Sequence, residues 1–187
     1  MRTLEDHGLI ARDPAGGLVL GTGLATLARA VARDLQTAAL PELTSIANEL
    51  RMTAFLVVLD RGDCTTLTSV EPRHSGSAVV QRPGTRHPID AGAPGLALQA
   101  ILDDSQWEAI SPQRPRRPEM ASVREQGFAV THHEVLPGVT GVAAPLSLGQ
   151  GLQPAAIAVV YVGDERPADR VGTSLVEAAR RISEQFD

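Results

Sequence analysis

The sequence predicts an α+β fold in which helices flank an antiparallel sheet. Apolar residues recur at helical spacing in residues 24–35, 43–50 and 171–186, which predicts helices there. Residues 53–60 and 64–71 are rich in β-branched residues and are separated by a short turn. Strands joined in this way pair antiparallel, because parallel neighbours need a long crossover connection.

Length, composition and net charge limit the classes of protein to which the chain can belong. A chain of 187 residues is long enough for one domain with a sizeable core, with or without a small appendage. Hydrophobic residues make up 43% of the chain and aromatic residues 3%, so we expect a core of aliphatic side chains. The net charge of -5 gives no general attraction to nucleic acid phosphates.

Cysteine content and hydropathy bear on the cellular location. The single cysteine excludes an intramolecular disulfide or a thiolate metal cluster. No apolar run reaches membrane-spanning length, and the first residues lack the pattern of a secretory signal. We therefore expect a cytoplasmic protein with no membrane partner.

The first 21 residues have the pattern of a helix end followed by a β-hairpin. Residues 4–7 predict the last turn of a helix, which Gly8 would terminate. Residues 9–12 and 18–20 predict two strands, and the Asp-Pro-Ala-Gly-Gly segment between them predicts the turn. A winged helix-turn-helix domain finishes with this order of elements.

Gly21 and Gly23 suggest a second interpretation, because they follow a strand and precede a helix as the glycines of a dinucleotide-binding loop do. The third position of that fingerprint is Thr26, however, and the preceding strand is short. We favour a linker that contains two glycines over a nucleotide site.

Two helices are predicted next. The first covers residues 22–38, and the second begins near Pro41, which fits a first helical turn. The first helix could connect a DNA-binding domain to a sensor domain, or it could simply pack on the sheet. The residues by themselves leave both interpretations open.

The sheet is predicted to continue after residues 53–71 through residues 77–80. Cys64 lies in the second strand, with no neighbouring base or helix N-terminus to lower the pKa of its thiol. We expect Cys64 to be a small strand residue and not a nucleophile.

Residues 86–95 lead into a helix predicted over residues 96–102. Free N–H groups and the helix dipole make such an N-terminus attractive to a carboxylate or a phosphate. Pro94 removes one of these donors. An ordinary capped helix packed on the sheet explains the same pattern equally well.

Residues 125–146 predict a helix that stops at Gly127, a strand, a turn at Pro137-Gly138 and a second strand. The second strand is apolar throughout, as a strand buried on both faces is. Its small residues, such as Gly141, leave space beside the sheet. Either a helix or a ligand could fill that space.

His132, His133 and Glu134 raise the question of a metal site, because imidazole and carboxylate groups bind zinc. Adjacent strand residues point to opposite faces, so His133 could not join the other two. We favour exposed polar residues at the edge of the sheet, and we expect no metal.

Several of these segments together resemble one family, the IclR-type bacterial transcriptional regulators. The segments that carry the resemblance are Leu4–Gly21, Gly127-Phe128-Ala129, Glu134, Gly138-Val139 and Val142–Pro145. The resemblance implies a GAF-like effector-binding domain at residues 39–187, preceded by a linker helix at 22–38. Residues 1–21 would be the remnant of a winged helix-turn-helix, comprising the end of the recognition helix and the wing.

The resemblance also implies where an effector would bind. The positions that it assigns to the pocket are Ala93, Pro94 and Gly95 at the entrance, and Thr131, Gly141, Ala158 and Val160. The family has an acidic residue, a cysteine and two serines at the last four positions, so this pocket would be much more apolar. A buried carboxylate without polar partners is disfavoured. We therefore expect a fairly apolar effector, such as an aromatic or alicyclic acid, or a vestigial pocket.

The function implied by the resemblance is ligand-controlled transcription by a homodimer or homotetramer, in which a small-molecule effector shifts the DNA-binding heads. Promoter DNA would be a partner only with the full N-terminal domain, and no cofactor is implied. The alternative is a stand-alone GAF-like module for small-molecule binding or dimerisation. We expect no enzyme, because the sequence contains no recognisable nucleophile–base pair, metal set or phosphate loop.

This chain is expected not to bind DNA specifically by itself. Three residues precede Leu4, whereas a recognition helix needs a partner helix to hold it in the major groove. In a gel shift with upstream DNA, the chain should form no sequence-specific complex, and a chain extended N-terminally should form one. Tight, specific binding by the shorter chain would contradict the expectation.

Overall fold

The computed structural model describes residues 2–73, 79–112, 115–149, 151–163 and 167–186, and of residues 29 and 30 only the backbone. The chain divides into two compact units, Met1–Thr37 and Ala38–Asp187. None of the helices within the described ranges is both long enough and apolar enough to cross a lipid bilayer.

The first unit contains a short helix, a β-hairpin and a second helix. Their bounds are Arg2–Asp6 for α1, Ile10–Arg12 for β1, Leu18–Leu20 for β2 and Gly23–Ala30 for α2. The two strands pair antiparallel, with Ala11 opposite Val19. The helix end and the hairpin that the sequence predicts are therefore present.

Close contact between two backbone segments explains why residues 21 and 23 are glycines. A Cβ atom at Gly21 would lie 2.1 Å from the carbonyl oxygen of Gly8, and one at Gly23 would lie 2.8 Å from the same atom. The N–H groups of Gly21 and Gly23 donate to the carbonyl oxygens of Leu9 and Gly8. Because any side chain would obstruct this contact, the glycines have a structural reason that does not involve a nucleotide.

The helix predicted over residues 22–38 is interrupted. The helix α2 ends at Ala30, and α3, Arg33–Leu50, begins after Ala32, whose φ angle of 45° is left-handed. A left-handed residue cannot continue a right-handed helix. Pro41, which was predicted to occupy a first helical turn, instead lies inside α3.

The second unit contains a mixed set of strands and helices. Their bounds are Thr53–Asp60 for β3, Asp63–Val70 for β4, Arg86–Pro88 for β5, Gly92–Ile101 for α4, Asp104–Ile110 for α5, Met120–Gln126 for α6, Ala129–His132 for β6, Val139–Pro145 for β7, Ala155–Val162 for β8 and Ala168–Ser183 for α7. Within the described residues, the strands form a sheet in the order β5-β4-β3-β8-β7-β6, and each neighbouring pair is antiparallel. The predicted α+β class is confirmed.

One edge of the sheet differs from the prediction. Ser77 and Ala78 lie outside the described residues, and Val79 and Val80 belong to no strand. The edge is formed by β5, where His87 lies opposite Cys64 of β4. The segment that the sequence assigned to the approach of a helix thus also supplies an edge strand.

Helices cover both faces of the sheet. The helix α4 packs against β6, β7 and β8, and its buried side chains join a core that includes Phe55, Ala143 and Ala158. The neighbouring strand residues point to the opposite face, where Val142 and Ile157 are fully buried. The helix α7 also packs against β7 and β8, and it covers this second face because α4 occupies the first.

Gly172 in α7 is expected to resist substitution. A Cβ atom there would lie 2.4 Å from two carbons of the Phe128 ring. Alanine gains about 1 kcal/mol of helix propensity over glycine, but overpacking costs about 1–3 kcal/mol. In urea titrations, Gly172→Ala should lower the free energy of unfolding, by up to about 2 kcal/mol. The exposed control Glu177→Ala should change it by less than about 0.5 kcal/mol. A more stable Gly172→Ala variant would contradict the expectation.

Candidate ligand-binding cavity

A cavity of about 180 Å³ lies between the beginning of α4, the sheet face that α4 covers and the loop after β6. Much of its wall is apolar. The larger apolar side chains that line it are Phe55, Val79, Val80, Val135, Leu136 and Val139. An apolar wall with a few polar groups is the usual composition of a small-molecule site.

One row of the sheet forms the floor of the cavity. Thr131 of β6 lies opposite Gly141 of β7, which in turn lies opposite Val160 of β8. Residues opposite one another on neighbouring strands project to the same face. Gly141 has no side chain, so space remains between Thr131 and Val160.

The space above Gly141 is close to two polar groups. A Cβ atom at Gly141 would lie 3.5 Å from the Thr131 hydroxyl oxygen and 3.9 Å from the backbone nitrogen of Ala93. Ala93 is the second residue of α4, a position whose N–H has no acceptor within its own helix. A ligand atom above Gly141 can therefore meet a hydroxyl group and the positive end of a helix dipole.

Thr131 supplies a buried polar group to the cavity. It lines the cavity and is 5% exposed. Its hydroxyl makes no hydrogen bond to the residues that the structure describes. The hydroxyl is therefore available to bond to a ligand in the cavity.

The structure brings together five of the seven residues to which the sequence assigned the pocket. Those in the cavity wall are Ala93, Pro94, Thr131, Gly141 and Val160. Gly95 lies against the backbone instead, because a Cβ atom there would be 2.3 Å from the carbonyl oxygen of Ile89. Ala158 projects to the same face as Val160, but it lies opposite Phe55 in the core beneath α4.

Glu134 is exposed, as the sequence predicts, and its carboxylate is also bonded at the cavity wall. It accepts a hydrogen bond of 2.8 Å from the N–H of Gly92, the first residue of α4. It accepts two more, of 2.7 and 2.9 Å, from the guanidinium group of Arg117. No local sequence pattern indicates these contacts, because Glu134 is 42 residues from Gly92 and 17 from Arg117.

The ionisation of Glu134 reflects its burial and its partners. Burial has the largest influence and raises its pKa, but the hydrogen bonds from Arg117 and Gly92 together outweigh burial and lower the pKa below the ordinary value. The hydrogen bond to Glu134 in turn raises the pKa of Arg117. Both side chains are therefore charged at neutral pH.

The opposite end of α4 is fixed by the residue next to Arg117. Arg116 donates to the carbonyl oxygens of Gln99 and Leu102, at 3.2 and 2.7 Å. The buried side chain of Gln99 donates to the carbonyl oxygen of Ile89 and accepts from the N–H of Arg117. Residues 116 and 117 thus contact both ends of α4, directly or through Glu134, and hold it above the cavity.

Cys64 and the histidines were weighed from the sequence as reactive or metal-binding groups. Cys64 lies in β4 and is 1% exposed. Burial first, and then the charges of Asp63 and Asp90, raise the pKa of its thiol to about 12, so the nucleophilic thiolate is scarce at neutral pH. Within the described ranges, no three His, Cys, Asp or Glu side chains are grouped as metal ligands.

An α+β domain with an enclosed space between a helix N-terminus and a sheet has the architecture of a ligand-binding domain. The sequence model of one family, described as the C-terminal domain of the bacterial transcriptional regulator IclR, matches residues 28–186. The chain belongs to this family.

Curated relatives agree with this assignment. The chain is similar to a protein named as the uncharacterized HTH-type transcriptional regulator RhmR of Escherichia coli K12, with 27% identity over 166 residues. The matched region is 80% of this chain and 64% of RhmR. The chain therefore spans less than two thirds of that relative's length.

Solved structures share the fold. The IclR transcriptional regulator of Alicyclobacillus acidocaldarius matches with a TM-score of 0.83 and 28% identity, over 100% of this chain and 82% of that one. An IclR homolog of Microbacterium hydrocarbonoxydans complexed with 4-hydroxybenzoate matches with a TM-score of 0.81 and 22% identity, over 99% of this chain and 82% of that one.

The carboxylate of Glu134 is expected to stabilise the fold at neutral pH and not in acid. Its pKa in the folded protein lies below the ordinary value of 4.5, so its contribution is complete above that value and is lost as the pH falls through the folded pKa. In urea titrations, the wild type should be more stable than Glu134→Gln near about pH 7, and the two should converge towards about pH 3. A difference that stays constant over this range would contradict the expectation.

Proposed function

We propose that this domain senses a small, mainly apolar organic acid in the cavity beneath α4, and that the full regulator uses this binding to control transcription. The observation that carries the proposal is the Thr131 hydroxyl, which lines the cavity near the N-terminus of α4 and makes no hydrogen bond to the described residues. Family membership supports the regulatory part of the proposal.

Cavity size supports a ligand with one ring. An apolar protein cavity of about 150 Å³ is large enough to hold benzene, and this cavity measures about 180 Å³. The additional volume suits one small polar substituent. An aromatic or alicyclic monocarboxylic acid has this combination of size and polarity.

The polar groups support placing the acid group above Gly141. A carboxylate there would accept hydrogen bonds from the Thr131 hydroxyl and the N–H of Ala93, near the positive end of α4. Pro94 offers no N–H. Small oxoacids such as glyoxylate and pyruvate have little apolar surface to place against the apolar part of the wall, so they should bind poorly.

We assign ligand contact to Ala93, Pro94, Thr131, Gly141 and Val160. Gly95 would act indirectly, because its lack of a side chain lets α4 approach the backbone at Ile89. Ala158 would act indirectly by supporting α4 from the core. The Microbacterium relative that shares the fold is complexed with 4-hydroxybenzoate, an aromatic acid of the class proposed here.

In the full regulator, the remaining partners would be promoter DNA and further copies of the chain, as a homodimer or homotetramer. Ligand binding can change DNA binding only if the ligand has different affinities for two arrangements of the protein. The first unit, with its helix end and hairpin, would belong to the DNA-binding part.

Calorimetric titration tests the ligand class. The protein should bind 4-hydroxybenzoate, and it should bind glyoxylate and pyruvate much more weakly. Thr131→Val should weaken 4-hydroxybenzoate binding by about tenfold or more, because a hydrogen bond to a charged group is lost. Gly141→Leu should abolish binding, because the new side chain fills the space above the sheet.

Val162→Ala is the control for these variants, since Val162 is the exposed end residue of β8 and lies outside the cavity wall. It should bind like the wild type, and thermal unfolding should show that all three variants are folded. Tight binding of glyoxylate or pyruvate, or full affinity in Gly141→Leu, would refute the proposed ligand and site.

A further inference from the structure

The first two N–H groups of α4 belong to Gly92 and Ala93, and they face different acceptors. The N–H of Gly92 already donates to the carboxylate of Glu134 at 2.8 Å. The nitrogen of Ala93 lies 3.9 Å from the Cβ position that Gly141 lacks, so it borders the floor of the cavity, near which the ligand's acid group is proposed to lie. The protein's own carboxylate and a ligand carboxylate would therefore occupy neighbouring positions at one helix N-terminus.

We propose that Glu134 determines the charge selectivity of the cavity, as a resident carboxylate that weakens the binding of acidic ligands relative to neutral ones of the same shape. The inference rests on the proposed function, because it concerns the same cavity. Arg117 has the opposite effect, since its positive charge offsets that of Glu134.

Geometry keeps Glu134 beside the ligand position. Its carboxylate is held from two sides, by Gly92 at 2.8 Å and by Arg117 at 2.7 and 2.9 Å. The next two residues, Val135 and Leu136, also line the cavity. A ligand carboxylate bonded to Ala93 would therefore meet a negative charge that cannot move away without breaking three hydrogen bonds.

Thr131 indicates where in the cavity a ligand would lie. Thr131 is 5% exposed and lines the cavity, and its hydroxyl has no hydrogen-bond partner among the described residues. Glu134 bonds to Gly92 and Arg117 and not to this hydroxyl. At this helix N-terminus, the N–H of Gly92 is thus bonded to the protein's own carboxylate, whereas the N–H of Ala93 and the Thr131 hydroxyl are left for a ligand.

Like charges in neighbouring positions repel, and the repulsion grows as water is excluded. A neutral ligand of the same shape does not experience it. Glu134 should therefore reduce the affinity for acids without changing the affinity for uncharged ligands, and a ligand with two carboxylates should be rejected more strongly than one with a single carboxylate.

The experiment compares benzoate with benzyl alcohol by calorimetry. Both have the same ring, and only benzoate is charged. In Glu134→Gln, the amide oxygen can still accept from Gly92, so the cavity keeps its shape while the charge is removed. Benzoate should bind about tenfold more tightly than to the wild type, and benzyl alcohol should bind within about twofold of the wild type.

Two further variants separate charge from architecture. Arg117→Gln leaves Glu134 without its cation, so the affinity ratio of benzoate to benzyl alcohol should fall by about tenfold. The ratio is the relevant quantity, because loosening of α4 would weaken both ligands together. Glu119→Gln removes the other carboxylate that bonds to Arg117, at 3.0 Å, but Glu119 is not part of the cavity wall, so the ratio should stay close to that of the wild type.

The inference fails if benzyl alcohol binds and the affinity ratio of benzoate to benzyl alcohol in Glu134→Gln is equal to or lower than that of the wild type. It also fails if Glu134→Gln and Arg117→Gln shift the ratio in the same direction, because the removal of opposite charges should shift it in opposite directions. If neither probe binds the wild type or Glu134→Gln, then the cavity does not take ligands of this class, and the proposed function falls together with the inference. Binding that Gly141→Leu abolishes, combined with an unchanged ratio, would refute only the role of Glu134.

Discussion

The close approach of the first turn of α4 to a strand position without a side chain is the constraint on which the rest of this domain depends. At Gly141 the sheet surface is 3.9 Å or less from the backbone nitrogen and methyl group of Ala93, measured from a Cβ position. A larger residue at 141 would displace the helix or fill the cavity. The helix must therefore be held from elsewhere, and the segment at residues 116 and 117 does this.

Residues 116 and 117 both hold α4 in position and determine the charges at its ends. Arg116 bonds to the C-terminal carbonyl groups of α4, as a cation at the negative end of a helix dipole should. Arg117 bonds to Glu134, which bonds to the N-terminal N–H of Gly92. Charges of the appropriate sign therefore stabilise both ends of one helix. The cavity lies at the N-terminal end of α4, where Glu134 bonds to the N–H of Gly92 and leaves the N–H of Ala93 for a ligand.

This arrangement suits a sensor more than a catalyst. The cavity wall contains mostly apolar groups, a hydroxyl without a partner and charged groups that are paired, such as Glu134 with Arg117 and Arg86 with Asp63 at 3.2 Å. Such a wall recognises shape and one polar group. Under the proposed function, a ligand there would contact α4, the sheet and the loop after β6 together and could bias their relative positions, which regulation requires.

Local patterns in the sequence were enough to predict the antiparallel sheet, the hairpin near the beginning and the small residues of β7, because periodicity and turn chemistry act over a few residues. A family resemblance, and not these local patterns, assigned Ala93, Thr131 and Gly141 to one pocket. Only the tertiary structure decided the rest. The strand register puts Thr131, Gly141 and Val160 in one row. The packing of α4 places Gly95 against Ile89, and the packing of the loop after β6 brings Glu134 to groups 17 and 42 residues away. Such contacts follow from how whole elements pack, and no short stretch of sequence encodes them.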